Sequence, residues 1–172
     1  EPSASALLER AGYLSAVHRF EESRAMLDRA EDAGATAAAT EGERLIIDLA
    51  IGRDPAELLP LAEAMLASRD DFDSHARLAG VLAALGRFEE ADAEYRAALA
   101  SYDDVAPFPV AWNAFQRGVM WAESADRPDL ARPLYEEAVR RLPAYVVANV
   151  HLAELEATSG QLDTARARLR TL

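Results

Sequence analysis

The sequence predicts an all-α protein, an α-solenoid of about five antiparallel helix pairs, and three observations support this class. Alanine, the strongest helix former, occurs 38 times in 172 residues. Small and large apolar residues recur at i, i+4 and i+7, which is the spacing of one helical face. The pattern returns every 34 residues, apart from one step of 40, and a period of this length is typical of stacked helical repeats.

The columns of the repeat define five units. An anchor position is occupied in turn by Ser23, Glu57, Ala91, Ala131 and Ala165. Four residues after each anchor the chain has Leu27, Leu61, Tyr95, Tyr135 and Leu169, and seven residues after it Ala30, Ala64, Ala98, Ala138 and Leu172. These columns place the units at about 4–37, 38–71, 72–108, 109–145 and 146–172 of a single solenoid covering 1–172. The anchor of the second unit is Glu57, where the other units have a small residue. The second unit is therefore expected to be irregular or slightly out of register.

Turn residues mark where the helices end. Five residues before each anchor the chain has His18, Gly52, Gly86, Asp126 and Gly160, and glycine ends a helix because it tolerates a positive φ. Asp54 and Pro55 combine an N-cap with proline at the first helical position, so a helix begins there. Each unit is therefore predicted to be two antiparallel helices, with the small residues where the helices touch.

The third unit resembles a tetratricopeptide repeat (TPR) through Leu78, Ala79, Leu82, Gly86, Phe88, Ala91, Tyr95 and Ala98. The matches in the last two units are Ala131, Tyr135, Ala138, Pro143, Leu152, Ala153, Gly160 and Ala165. The resemblance covers essentially the whole chain. It implies a right-handed superhelix whose concave groove, lined mainly by the first helix of each pair, binds a protein or peptide segment. The residues that define the repeat are expected to pack, not to catalyse.

By the same resemblance, the sixth residue of each first helix points into the groove, and these residues are Glu9, Glu43, Arg77, Arg117 and His151. Two arginines on consecutive repeats could hold a carboxylate, which makes an acidic peptide one expected partner. The alternative is that both arginines are solvated or locally paired. The expected binding set also includes Asn113, Gln116, Trp121 and Glu154. The chain has no Lys and no matching pair of Asn, which disfavours the TPR subtype that clamps the C-terminal carboxylate of chaperone tails.

The fourth unit departs from the period. Its step of 40 inserts six residues near 101–109, where Pro107 and Pro109 prevent a continuous helix. Seven of the 12 aromatic residues lie between Tyr102 and Tyr145. Most of them are expected in the core, but a partly exposed Trp here would be a natural anchor for a partner.

The register of the first helix in this unit has two alternatives. If Val119 occupies the first-helix position that the repeat pattern fills with a small residue, Arg117 lies in the groove. If one extra residue precedes the anchor, Gly118 and Trp121 become the small and aromatic positions, and Gln116 faces the groove instead.

Composition disfavours several classes of function. The net charge of −12 opposes binding to nucleic acid or to anionic membranes. Cysteine is absent, which leaves the redox compartment undecided. No apolar run approaches the ~20 residues that span a bilayer and no secretory signal is seen, so the location is only weakly constrained, with the cytoplasm favoured. His151 and Glu154 lie three residues apart on one helical face and could both bind a metal ion, but the three histidines of the chain fall on different repeats, which disfavours a metal site. No metal, cofactor or enzymatic activity is expected, because phosphate-loop and nucleophile motifs are also missing.

The function expected from the sequence is a non-enzymatic scaffold that binds a protein or peptide in the groove. The alternatives are self-assembly and an intramolecular regulatory or sensor arm of a larger multidomain protein. The last helix ends seven residues after its anchor; Leu162 is expected to face inward. Leu169 and Leu172 are expected to form an apolar strip rimmed by Arg166, Arg168 and Arg170. This strip predicts a homodimer through the C-terminal helix or a continuation of the chain.

Overall fold

The computed structural model describes residues 2–172 and shows ten α-helices and no strand within that range. The helices are α1 (Ala4–Ala16), α2 (Phe20–Asp32), α3 (Ala37–Ala50), α4 (Pro55–Ser68), α5 (Phe72–Ala84), α6 (Phe88–Ser101), α7 (Pro107–Val119), α8 (Pro128–Arg141), α9 (Val146–Thr158) and α10 (Leu162–Leu169). A π-helical turn, Met120–Ser124, directly follows α7. The all-α prediction is therefore confirmed.

The helices fall into two compact units. The first ends at Arg69 and contains α1 to α4; α1 and α2 pack closely, whereas α3 and α4 have fewer contacts. The second, Asp70–Leu172, contains three closely packed pairs: α5 with α6, α7 with α8, and α9 with α10. The candidate site described below lies wholly within this second unit.

Each helix pair turns at a residue with left-handed backbone. The φ angles are 60° at His18, 87° at Gly52, 74° at Gly86, 52° at Asp126 and 81° at Gly160. These are the five positions that the repeat pattern predicted to end the first helix of each unit, so that prediction is confirmed. Aspartate and histidine are among the non-glycine residues found most often in this conformation.

The small residues of the second helices are buried as predicted. Ala91 and Ala98 on α6 and Ala131 and Ala138 on α8 have no exposed surface. In the first repeat Ser23 occupies the equivalent buried position, and its hydroxyl donates to the carbonyl of Ala11 at 2.7 Å. A polar anchor is tolerated there because its hydrogen bond is satisfied.

The helix α4 is shifted by one residue from the repeat columns, in line with the irregular register expected of the second repeat. Its buried residues are Leu58, Ala62 and Met65. Glu57, Leu61 and Ala64, which the repeat columns placed inside, are exposed. Burial of Glu57 would carry a carboxylate out of water at a large cost, so the neighbouring apolar face turns inward instead. Glu57 pairs with Arg53 at 3.3 Å on the surface.

The first helix of the fourth repeat contains one extra residue. This is the second of the two registers that the sequence allowed. Gly118 is buried against the ring of Tyr135, whereas Val119 is only half-buried. The following π-helical turn, closed by a hydrogen bond from Ala125 N to the Met120 carbonyl of 3.0 Å, accommodates one residue more than an α-helical turn. The register is therefore the one that makes Gly118 the small position.

The C-terminal helix matches its prediction in part. Leu169 and Leu172 are half-exposed, as expected. The expectation for Leu162 is wrong, since its side chain is 51% exposed. α10 packs closely only on α9, so its first turn is left uncovered. Arg168 does not rim the apolar strip, because its guanidinium turns back to the buried Glu156 at 2.7 Å.

Candidate functional site

In the compact unit Asp70–Leu172, the first helices of the three repeats are α5, α7 and α9, and they contact one another through aromatic rings. The rings of Phe72 on α5 and Trp112 on α7 are 6.4 Å apart, and those of Phe115 on α7 and His151 on α9 are 5.1 Å apart. These contacts place the three helices beside one another. We call their shared surface, with the π-helical turn, the first-helix face. Half-buried and exposed side chains on these elements include Arg77, Trp112, Gln116, Glu123, His151 and Glu154.

Arg77 lies on α5 with its guanidinium mostly covered. One terminal nitrogen is 3.6 Å from a carboxylate oxygen of Asp73, one helical turn earlier. The Nε atom is buried and has no hydrogen-bond partner. The side chain is therefore held along the helix and leaves only its tip for a ligand.

Arg117 is bound by a buried carboxylate that the sequence did not single out. Asp92 on α6 is 5% exposed, and one of its oxygens accepts from Nε and Nη2 of Arg117 at 2.9 and 2.8 Å. The same oxygen accepts from the indole of Trp121 at 3.2 Å, and the other lies 2.7 Å from Arg96. The structure thus brings Arg117 and Trp121 together, as a connection between the third and fourth repeats.

This network could have been recognised only in part. Arg117 and Trp121 are four residues apart, so a shared partner on one helical face was foreseeable. Asp92, in contrast, follows the anchor of its unit and lies in a run of charged residues typical of a solvated surface. Nothing local distinguishes it from the exposed acids around it.

Asn113 and Gln116 have different environments on α7. Asn113 is buried and donates its amide to the Tyr95 carbonyl at 3.1 Å, which connects α7 to α6. Its position gives it a packing role and leaves no surface for a ligand. Gln116 is half-buried on the first-helix face.

His151 is the centre of a polar cluster that crosses from the π-helical turn to α9. Its Nδ1 atom lies 3.2 Å from a carboxylate oxygen of Glu123 and 3.9 Å from one of Glu154. The structure therefore brings together His151 and Glu154, which the sequence singled out, and adds Glu123, which it did not. Glu123 and His151 are 28 residues apart in a chain whose repeat period gave no reason to pair them.

Tyr135 on α8 forms the floor of this cluster. Its side chain is 1% exposed, and its ring lies 5.5 Å from that of His151 and 5.7 Å from that of Phe115. The hydroxyl is buried without a hydrogen-bond partner. Burial, and then the carboxylates of Glu123 and Glu154, raise the pKa of Tyr135, so the phenol stays protonated.

His75 on α5 makes a second charged connection, away from this cluster. Its two ring nitrogens lie 2.6 Å from Glu94 and 2.8 Å from Asp70. Burial lowers the pKa of His75, but the hydrogen bonds to both carboxylates outweigh it and raise the pKa above its ordinary value. The imidazolium form is thereby favoured, and it holds α5 against α6.

Within residues 2–172, no helix is long and apolar enough to cross a membrane. No group of three or more His, Asp or Glu side chains in the same range is arranged to hold a metal ion.

The helix pairs and the face formed by their first helices define a helical-repeat protein of the solenoid class. The sequence model described as tetratricopeptide repeat matches residues 122–172. Among solved structures, one of MamA aligns with a TM-score of 0.61 at 14% identity, over 93% of this chain and 90% of that one. A second MamA structure aligns with a TM-score of 0.59 at 13% identity, over 97% and 88%.

A third structure, of YrrB, is described as a TPR protein with an unusual peptide-binding site. It aligns with a TM-score of 0.55 at 20% identity, over 98% of this chain and 84% of that one. No curated protein matches the sequence. Residues 122–172 are thus similar to the tetratricopeptide repeat family, and the chain shares the fold of the MamA and YrrB structures.

Proposed function

We propose that the protein is an interaction scaffold that binds a peptide or protein segment on the first-helix face. The observation that carries the proposal is the alignment of α5, α7 and α9 with partly exposed aromatic and polar side chains between them. Interfaces take most of their affinity from such aromatic anchors. The peptide-binding site attributed to YrrB, a protein of the same fold, supports the same use.

Trp112 and Gln116 are the residues we expect at the centre of this contact. They lie four apart on α7, the middle one of the three helices, and both are half-buried. Trp112 offers its indole beside Phe72, and Gln116 offers both a donor and an acceptor to a peptide backbone. We therefore propose that an extended segment crosses α7 at these two residues.

The arginines do not favour the acidic partner that the sequence suggested. The Arg117 guanidinium is already bound to Asp92, and Arg77 lies close to Asp73. A carboxylate ligand would have to displace Asp92 from Arg117, which would take from that buried carboxylate one of its two arginine partners. We infer that Arg117 maintains the face rather than binding the ligand.

The experiment is selection of random peptides displayed on phage against the whole chain, followed by affinity measurement with synthetic copies. Gln116→Arg places a long charged side chain in the middle of the face and should weaken the selected peptides about tenfold or more. Gln161→Arg introduces the same change in the exposed turn before α10 and should leave their affinity unchanged. Equal affinity for both variants would refute the proposal.

Self-association is a second candidate function, favoured by the exposed leucines of the C-terminal helix. Leu162, Leu169 and Leu172 are each about half-exposed. An apolar strip of this kind is commonly buried between copies of a chain. Light scattering should show a dimer that Leu169→Glu with Leu172→Glu dissociates; a monomeric parent protein would rule it out.

A further inference from the structure

The π-helical turn places an acidic side chain beside α9. The turn adds one residue to the first helix of the fourth repeat, and Glu123 lies within it, 3.2 Å from Nδ1 of His151. Single π-helical turns are frequent at functional sites. The irregularity of this repeat and the polar cluster therefore coincide.

The cluster carries more negative than positive charge. It contains two carboxylates, those of Glu123 and Glu154, and one imidazole, so it stays negative overall even when His151 is protonated. Both carboxylates are open to solvent, with side chains 55% and 67% exposed. A ligand can reach them without displacing protein atoms.

The floor of the cluster contains a polar atom that lacks a partner. The hydroxyl of Tyr135 is buried and makes no hydrogen bond, although a buried polar group without a partner is costly and uncommon. The ring of Tyr135 lies 5.5 Å from that of His151, whose Nδ1 atom is 3.2 Å from Glu123, and 5.7 Å from that of Phe115. After burial, the carboxylates of Glu123 and Glu154 also raise the pKa of this hydroxyl.

We propose that Glu123, Glu154, His151 and Tyr135 bind the ammonium or guanidinium group of a basic side chain. The inference rests on the proposed function, since this side chain belongs to the peptide held on the first-helix face. The carboxylates accept its charged hydrogen bonds, and the Tyr135 hydroxyl accepts one more. A cation with its own hydrogens fits better than a bare metal ion, for which no ligand group is arranged within residues 2–172.

The direct test uses small probes that carry one basic side chain. Nα-acetyl-lysine methylamide and Nα-acetyl-arginine methylamide are titrated into the protein, and binding is followed by NMR. We expect chemical-shift changes concentrated at the π-helical turn, at α9 and at the rings of Tyr135 and His151. The Nε-acetylated lysine probe has lost its charge and should bind about tenfold more weakly or worse.

A glycine methylamide probe with a free α-amine distinguishes the source of the cation. It should bind more weakly than the lysine probe, because it has no side chain to reach the Tyr135 hydroxyl. If it binds as tightly, the group recognised is an N-terminal amine and the assignment to a side chain is overturned. Shifts that fall outside the cluster would also overturn it.

Variants separate local recognition from general attraction. Glu123→Gln with Glu154→Gln keeps the shape of the cluster and should weaken the lysine probe about tenfold or more. The control, Glu89→Gln with Glu136→Gln, removes two exposed carboxylates from α6 and α8 and should leave binding unchanged. Unchanged binding in the first variant, or equal losses in the two, would overturn the proposal.

Tyr135→Phe tests the floor of the cluster by removing only the hydroxyl. It should weaken the lysine probe severalfold while the melting temperature stays the same or rises, because no hydrogen bond is lost in the free protein. If binding is unaffected, the hydroxyl is not a ligand and the proposed set is wrong.

The failure of this inference differs from the failure of the proposed function. If displayed peptides lose affinity for Gln116→Arg but not for the Glu123→Gln and Glu154→Gln double variant, the face binds peptides and the cation site does not exist. If they lose affinity for neither, while the lysine probe still binds the cluster, the proposed function has failed and the cation site remains.

Discussion

Gly118→Ala should destabilise the protein, although alanine is the better helix former. Gly118 lies in α7, and a Cβ atom added there would be 2.4 Å from Cε1 and 2.6 Å from Cδ1 of Tyr135. Carbon atoms pack at about 3.5–4.0 Å, so the ring would have to move by roughly 1 Å. The ring of Tyr135 packs between those of Phe115 and His151, and its side chain is 1% exposed.

Two opposing terms determine the size of the effect. Replacing glycine inside a helix gains about 1 kcal/mol from propensity. Overpacking a filled interior costs about 1–3 kcal/mol, and a clash with a rigid buried ring belongs at the upper end of that range. The net loss in the free energy of unfolding is about 1–2 kcal/mol. For a chain of this length, that lowers the melting temperature by roughly 2–8 °C.

The assay is urea denaturation followed by circular dichroism, with Gly12→Ala as the matched control. Gly12 lies in α1, and a Cβ atom added there would have nothing within 4 Å. That variant should be more stable than the parent protein by about 0.5–1 kcal/mol. If Gly118→Ala proves as stable as Gly12→Ala, Tyr135 does not pack on Gly118 and the register of the fourth repeat is wrong.

Three further predictions concern residues of the compact unit Asp70–Leu172. Asp92→Ala should cost about 3 kcal/mol in the same assay, the lower end of the range for buried ion pairs, because it leaves the half-buried Arg117 without its carboxylate partner; Asp92→Asn retains an acceptor and should cost less, and equal losses would contradict this. Ala98→Leu should cost about 1–3 kcal/mol by overpacking a fully buried position, and an unchanged melting temperature would contradict that packing. The pKa of His75 is raised by folding, so its stabilisation is complete below the unfolded pKa of about 6.5 and is lost as the pH rises through the folded pKa. The stability advantage of the parent protein over His75→Gln should therefore shrink with rising pH, and an advantage independent of pH would show that His75 acts through packing alone.

Most of the fold was predictable because its determinants are local. The period of small residues, the left-handed turn positions such as Gly86 and Asp126, and the cap at Asp54 act within a few residues of chain. Helical spacing then converts these signals into buried faces. The positions of Ala91 and Ala98 needed no information from elsewhere in the molecule.

Register was less predictable where two neighbouring faces competed. In α4 the repeat columns selected Leu61 and Ala64, whereas the structure buries Leu58 and Ala62, because the face with Leu61 would also carry Glu57 out of water. In the fourth repeat, the choice between Val119 and Gly118 depended on the ring of Tyr135 on another helix. A shift of one residue turns a helix by about 100°, so the periodicity of one helix alone does not distinguish such alternatives.

The sequence by itself determined the class of the protein and the helices on which a site could lie. Only the tertiary structure decided which polar side chains meet, since Asp92 reaches Arg117 across 25 residues and Glu123 reaches His151 across 28. Helix formation depends on residues that are close along the chain. Ion pairs between helices, and unpartnered hydroxyls such as that of Tyr135, depend on how separate helices pack in the tertiary structure. Packing supplies that information, and a repeat pattern read along the chain does not contain it.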